Sequence, residues 1–380
     1  MINRIVQCRL RRVGLFFFTL VMPIAARAQT TSTWENLAHM PVSLYRTNGT
    51  VYHDKLMVVS GEPLANGGEQ AQVQYYNINT NQWASGVNID APLVAMGIGV
   101  DSLDRFVVFA GYEGVGDQWA WSNSAYQYDV NQGELDGIAR FGGQYTANTM
   151  DDQSRIYAIG GADGGFGGIA SMYRYDASLD TWETLAPSPF GRWGGQAAYD
   201  GMGHIVFAGG FTEYYNRVAH ADTAIYDIAT NTWTMTTPMP EGRATGKAVL
   251  GADGMIYFLG GEYRNYIRTN TVYIFDPVNH TWTTGPGMRA ARVEFAAGLG
   301  SDGYIYAAGG ETTGVTERLD TNPVNTCPVD CNLDGLVDTQ DFLCFLNLWV
   351  AKDPDADFNA DGVIDTQDFL AFLNTWVVGC

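Results

Sequence analysis

A glycine-ended strand that returns every fifty residues constrains this chain more than any other feature. Its clearest copy runs from His204 to Arg243 and reads HIVFAGG, then TAIYDIATNTW, then PMPEGR. The strand-ending glycine recurs at Gly61, Gly111, Gly161, Gly210, Gly261 and Gly310, in steps of 50, 50, 49, 51 and 49 residues. An aromatic partner recurs as Tyr76, Tyr128, Tyr175, Tyr226 and Phe275. Seven residues after each comes Trp83, Leu135, Trp182, Trp233 or Trp282. A period near fifty that holds four short strands predicts one propeller blade per repeat. Glycines let a strand end pack where a Cβ would meet neighbouring backbone. The Tyr and Trp fill the wedge between adjacent sheets. Turn residues such as 79–82 (NTNQ) and 229–232 (ATNT) separate the third and fourth strands.

Six glycine units carry only five downstream Trp or Leu positions. The sixth stands at the other end of the chain, where Trp34 lies 49 residues before Trp83. Residues 31–37 are therefore expected to supply the outer strand of the last blade. Such a strand closes the ring and leaves no open sheet edge. The fold class expected is an all-β six-bladed β-propeller over residues 30–320. With its double glycines, Tyr-Asp pairs, Trp seven residues on and Met-Pro-x-x-x-Arg stretches, the array resembles the kelch-repeat family. Blade one has Ser60-Gly61 and blade two Ala110-Gly111 in place of paired glycines, and Leu135 replaces a Trp. The arginine is present as Arg192, Arg243 and Arg292, with Leu44, Leu93 and Tyr145 read as the matching positions in the first three blades.

Residues 1–28 read as a secretory signal. Arg4, Arg9, Arg11 and Arg12 precede an apolar run, and Ala26-Arg27-Ala28 is a small-x-small cleavage site. Cleavage would take the formal charge from −20 to −25 with the loss of five arginines. That acidity argues against nucleic acid as a partner. No later stretch is long and apolar enough to span a bilayer, so a secreted or cell-surface location is expected.

After a turn-rich linker, 321–329, the texture changes. Residues 330–341 (DCNLDGLVDTQD) and 357–368 (DFNADGVIDTQD) repeat at an offset of 27. Each fits an EF-hand-type calcium loop. The first places oxygen ligands at Asp330, Asn332, Asp334, Leu336 (carbonyl), Asp338 and Asp341. The second places them at Asp357, Asn359, Asp361, Val363 (carbonyl), Asp365 and Asp368. Gly335 or Gly362 sits at the sharp turn. A hard cation takes six to eight oxygens, so two Ca2+ ions are expected as cofactors. Residues 327–380 hold ten Asp against Lys352 alone, and repulsion among them makes the metal a condition of folding. Behind each loop runs an amphipathic stripe, Phe342-Phe345-Leu346-Trp349 and Phe369-Phe372-Leu373-Trp376.

This tandem is similar to a type I dockerin domain: Asp ends each loop and a helix follows it. The resemblance implies a small α-helical domain over 330–380 whose partner is a cohesin-like module or another surface component. It further implies partner contacts through Thr339, Gln340, Thr366 and Gln367. The four cysteines outside the leader all lie in this tail. An even count in an exported segment suggests two disulfides. Cys331, at loop position 2, can pair with Cys344, and Cys327 and Cys380 can clasp the ends.

Ligands on a propeller gather at the axis. Candidates there are Arg192, Arg243 and Arg292, the glutamates Glu62, Glu262 and Glu311 that follow a strand-ending glycine, and loop aromatics including Trp119, Trp121, Tyr214 and Tyr263. Aromatic faces with Arg and Glu suit sugar rings and carboxylates. The competing reading makes the Arg and Glu structural pairs. Some kelch propellers are enzymes. Copper chemistry of the galactose-oxidase type requires a Cys joined to a Tyr, and residues 30–320 contain no Cys, so that form is excluded. A six-bladed exported sialic-acid mutarotase has the kelch fold and a matching length. Overall the sequence favours a secreted recognition module that binds a glycan or protein and is tethered by its tail. The alternative is a carbohydrate-active enzyme, degrading polysaccharide or isomerising a sugar, with its site on the axis.

Overall fold

The computed structural model describes residues 33–380, apart from 64–69, 90–92, 95, 116–117, 122–123, 130–134, 142–144, 163–166, 214–216, 265, 311–313, 323–327, 332–336, 360 and 379–380. Residues 1–28, read above as a secretory signal, lie outside these residues, and so do Glu311, Tyr214, Asn332, Asp334, Leu336, Cys327 and Cys380.

The six repeats fold as six antiparallel sheets. In the third, fourth and fifth repeats the strands run in simple order, as in Gln196–Tyr199, His204–Ala208, Thr223–Asp227 and Thr232–Thr236. The second strands are continuous buried apolar runs, such as Phe106–Phe109, Ile156–Ile159 and Ile256–Leu259. A sheet covered on both faces needs that pattern rather than alternation. Blades one and two depart from the simple order. In the first, Lys55–Pro63 is long, slips register between Val59 and Gly61, and pairs with Leu44–Tyr45 as well as with Val51–Tyr52. The second carries an extra three-stranded sheet of Leu93–Val94, Tyr112–Val115 and Gln118–Trp121.

The seven-residue spacing is a cross-strand pair. Tyr76 faces Trp83, Tyr175 faces Trp182, Tyr226 faces Trp233 and Phe275 faces Trp282. Their ring centroids lie 5.7, 5.2, 5.1 and 4.8 Å apart. Each indole N–H then reaches back to a carbonyl of the preceding blade: Trp83 to Ala38, Trp182 to Ala139, Trp233 to Ala186, Trp282 to Thr237. Trp34 completes the set. Its neighbour Glu35 pairs with Arg318 of the sixth blade, its indole N–H donates to the Pro286 carbonyl at 2.9 Å, and its ring is 1% exposed. The first strand closes the sixth blade.

A second inter-blade latch was not evident in the sequence. Two residues before three of these tryptophans, Asn81, Asp180 and Asn231 adopt left-handed backbone. Asn231 Oδ1 accepts from the Tyr226 hydroxyl at 2.7 Å and from the Ala186 N–H of the preceding blade at 2.9 Å. Asn81 and Asp180 do the same for Tyr76 and Ala38, and for Tyr175 and Ala139. Asn231→Ala strands two donors and leaves an alanine in αL. It should cost about 1–3 kcal/mol in denaturant unfolding, and a loss within error of zero would show that the latch carries no weight.

The strand-ending glycines are demanded by backbone on the neighbouring turn. At Gly261, with φ +92°, a Cβ would stand 2.6 Å from the Ala244 carbonyl oxygen. Where the pair is incomplete, Ser60 and Ala110 still take positive φ, 51° and 57°.

In the tail, α1 spans Thr339–Ala351 and α2 spans Thr366–Val378. Phe345 and Phe372 stack at 4.0 Å in a small core with Val329 and Ala356. The two halves are reciprocal. The Trp349 indole donates to the Asp365 carbonyl and the Trp376 indole to the Asp338 carbonyl, each at the other loop. Leu348, rather than the expected Leu346, joins this core. Cys331 and Cys344 form a disulfide.

Candidate functional site

Among the described residues, the first strands of five blades enter the axis through one left-handed residue. Arg46, Tyr145, Thr245 and Glu294 have φ of 53°, 50°, 57° and 49°, and Gly194 has 62°. Backbone bonds run from blade to blade around this ring: the Gly194 N–H donates to Tyr145, Thr245 to Gly194, and Glu294 to Thr245. Left-handed backbone costs an ordinary residue about 1–2 kcal/mol, and more for a β-branched one such as Thr245. The ring therefore holds strained residues at the mouth of the axial channel. It also corrects the alignment of the repeats. The Gly210 N–H donates to the Arg243 carbonyl, Gly261 to Arg292 and Gly310 to Leu44. Leu44 thus matches the arginines, whereas Tyr145 stands two residues past that position, in the ring of Arg46, Thr245 and Glu294.

Five of the side chains here are charged. The Arg46 guanidinium lies 2.8 Å from Glu62 and 3.8 Å from Glu294, and donates to the Tyr145 hydroxyl at 3.2 Å. Burial, together with the hydrogen bond to Glu62, pushes the Tyr45 phenol up to about 12. A second pair stands nearby, where Arg217 meets Glu262 at 2.7 Å. The Arg217 guanidinium is flanked by the rings of Tyr266, Trp193 and Phe211, at 4.4, 4.9 and 4.9 Å. Burial pushes the Glu262 carboxyl up to about 7, with Glu294 adding to the rise and Arg217 opposing it. Burial also raises Glu294, against the pull of Arg46. Burial thus raises two carboxyls of one mouth, each beside an arginine.

Of the residues singled out in the sequence, Glu62 and Glu262 come to this mouth. Tyr263 is half-buried, with Arg243 over its ring at 5.5 Å. Trp119 and Trp121 lie in the added sheet of blade two, and their side chains are outside the described residues. The three arginines are engaged within their blades. Arg192 pairs with Asp222 at 2.7 Å and Arg243 with Glu241 at 2.9 Å. Arg292 pairs with Glu317 at 2.9 Å, both side chains wholly buried, and donates to the Gly309 and Val315 carbonyls. Sequence reasoning missed Arg46, Tyr145, Arg217 and Glu294. For three of them a signal existed, since they stand two residues beyond the arginine position of each repeat. Arg217 had none, because it lies in a long loop and its partner is on the next blade.

The channel below the mouth holds a cavity of ≈ 70 Å³ and, further along, one of ≈ 300 Å³. In the tail, Asp338 caps α1 and the side chain of Asp341 returns to the Asp338 N–H. The second loop turns at Gly362, φ +83°. Its Asp357 accepts from the Asp361 and Gly362 N–H groups, and buried Asp368 accepts from Asn359 and Asp365. Val363 is exposed, and buried Asp330 precedes the part of the first loop that is not described. Among the described residues, no three His, Cys, Asp or Glu side chains converge in the way a metal ion requires. Thr339, Gln340, Thr366 and Gln367 are exposed at the helix starts. No described helix is long and apolar enough to cross a membrane.

The chain is 28% identical over 214 residues to N-acetylneuraminate epimerase 1 of Escherichia coli O6:H1, covering 45% of this chain and 55% of that protein. It is 23% identical to Kelch-like protein 38 of Mus musculus, covering 62% of this chain and 32% of that protein. It thus spans about half the length of the first relative and a third of the second. The solved structure of YjhT superposes with a TM-score of 0.60 at 16% identity, over 75% of this chain and 95% of that one. A fungal alcohol oxidase of the AA5 family in complex with copper gives 0.56 at 17% identity, over 80% and 78%. At such identities these two speak for the fold alone. Residues 139–310 match the model of the KLHDC2/KLHL20/DRC7 Kelch-repeats domain. Residues 139–310 thus match a Kelch-repeat domain, and they form part of a six-bladed β-propeller.

Proposed function

We propose that the axial mouth binds an acidic sugar and moves protons at its ring oxygen and at the hydroxyl of its hemiketal carbon, as interconversion of its ring forms requires. The observation that carries this reading is Glu262, a carboxyl raised to about 7 beside Arg217. A group that titrates near the working pH both takes and returns a proton readily. Opening a cyclic hemiketal requires a base at the ring-carbon hydroxyl and an acid at the ring oxygen, and closing it on the other face reverses both transfers. Glu262, whose anion Arg217 favours, serves as the base, and Glu294 serves as the acid. Arg46 is placed to receive the sugar's carboxylate, and the aromatic faces around Arg217 suit its ring. The name of one relative, an N-acetylneuraminate epimerase, supports the choice of substrate class. Proton NMR of N-acetylneuraminate should show faster exchange between its ring forms when the protein is added. An unchanged rate at saturating ligand would remove the catalytic reading. Binding without acceleration would leave the second reading, a recognition propeller, which the exposed ring of Tyr266 over Arg217 favours.

For the tail we propose two Ca2+ ions, held by the loops that begin at Asp330 and Asp357, and docking to a cohesin-like or other surface partner through Thr339, Gln340, Thr366 and Gln367. Gly362 in left-handed backbone and the buried carboxylates Asp341 and Asp368 support the ion sites. The leader and the tail together fit a protein exported to the cell surface or beyond. All the described helices longer than one turn lie in the tail, so helical circular dichroism reports on it. Excess chelator should abolish that signal and leave the propeller's unfolding transition in place. Helicity that survives the chelator would count against calcium-driven folding.

A further inference from the structure

One level below the mouth, the first residues of the six inner strands form a ring across the channel. Gly97, Ala147, Gln196, Lys247 and Ala296 pair with Phe109, Ile159, Ala208, Leu259 and Ala308, and Asn48 bridges to Val59. Three members are small and three are polar. The Lys247 ammonium donates to Asn48 Oδ1, an oxygen that also accepts the Gly49 N–H. The Asn48 amide donates in turn to the Met96 carbonyl. Gln196 is 2% exposed and neither end of its amide has a partner; the Thr146 hydroxyl is likewise buried without one. Asn48, Thr146, Gln196 and Lys247 all line the ≈ 70 Å³ cavity.

We propose that this ring is an anion site, which holds one small monovalent anion, a halide or a formate-sized carboxylate, against Lys247 on the propeller axis.

The argument is one of charge and of unmet hydrogen bonds. Lys247 is half-buried on the cavity wall, and an ammonium drawn partly out of water gains from a nearby counter-charge. Among the described residues no carboxylate lies within ion-pair distance of Lys247, and burial alone pushes its amine down to about 8. A lysine has three donors, and Asn48 meets one of them. The orphaned Gln196 amide and Thr146 hydroxyl supply further donors on the same wall. The cavity has room for a small ion and a few waters. The other titratable groups on its wall, Glu294 and Tyr145, belong to the mouth above. The two sites share that wall, but the anion site is read by chloride-dependent stability and not by sugar exchange, so the two readings can fail separately.

The test uses the full chain. Replacing isethionate, too bulky for the cavity, by chloride at equal ionic strength should raise the propeller's Tm by about 2–4 °C. Lys247→Met should remove that difference. A crystal soaked in bromide should show one anomalous peak in the cavity beside Lys247. Equal Tm values in the two salts, or the same chloride response in Lys247→Met, would reduce the effect to general salt and overturn the site. Should Lys247→Met fail to fold, the bromide map of the unaltered protein decides: a peak at Lys247 upholds the site, and a cavity without one overturns it.

Discussion

Glu262→Gln should slow the interconversion of acidic-sugar ring forms by about 10²–10⁴-fold while substrate binding changes little, because the amide keeps the shape and loses the proton. The pH profile separates this from mere damage. With its carboxyl raised from 4.5 to about 7, Glu262 works as a base only once ionised. The rate should therefore climb as pH passes about 7, and the Gln variant should lack that rise. Stability moves the opposite way. Between the unfolded value near 4.5 and the folded value near 7, the folded state holds a proton that the unfolded state has lost. This group alone therefore makes the fold less stable as pH rises through that window. In Glu262→Gln the slope of stability against pH over that range should be shallower. A variant with full activity and an unaltered pH profile would show that Glu262 only supports Arg217.

Trp34→Ala should be among the most costly single changes in the propeller, at about 3–5 kcal/mol. The indole is 1% exposed, packs with Leu319 and Ile305, and bonds Pro286 at 2.9 Å. It also stands beside Glu35 and Asn36, the residues that pair with the sixth blade. Loosening this strand opens an edge along Thr316–Asp320, and an open edge invites pairing with another chain. Denaturant unfolding with light scattering would measure both effects. A loss below about 1 kcal/mol with no added association would mean that the ring holds itself shut without its first strand.

Much of the fold was legible because it repeats. The Tyr-to-Trp spacing of seven is a hairpin with a short turn, a local relation that survives in every copy. Even the ring closure could be read, since Trp34 is the one tryptophan of the pattern out of place in the chain and in place in the circle. The tail's disulfide between Cys331 and Cys344 was one of the three pairings that four cysteines allow, and the structure selects it. The mouth was harder. Glu62 and Glu262 were visible because they follow a glycine that marks a strand end. Arg46 and Glu294 are an Arg and a Glu among many, and Tyr145 was assigned to the wrong position of the repeat because blade three lacks the arginine that sets the frame.

By itself, then, the chain determined how many blades there are, where each begins and what closes them, for these depend on spacing along the backbone. Which charged groups meet at the axis was decided only in three dimensions. Arg46 and Glu294 are separated by nearly the whole length of the ring and become neighbours when it closes. Arg217 and Glu262 find each other across a blade boundary. The raised carboxyl of Glu262 likewise belongs to no sequence motif. It arises because six sheets remove water from one point, and removal of water is a property of the assembled ring.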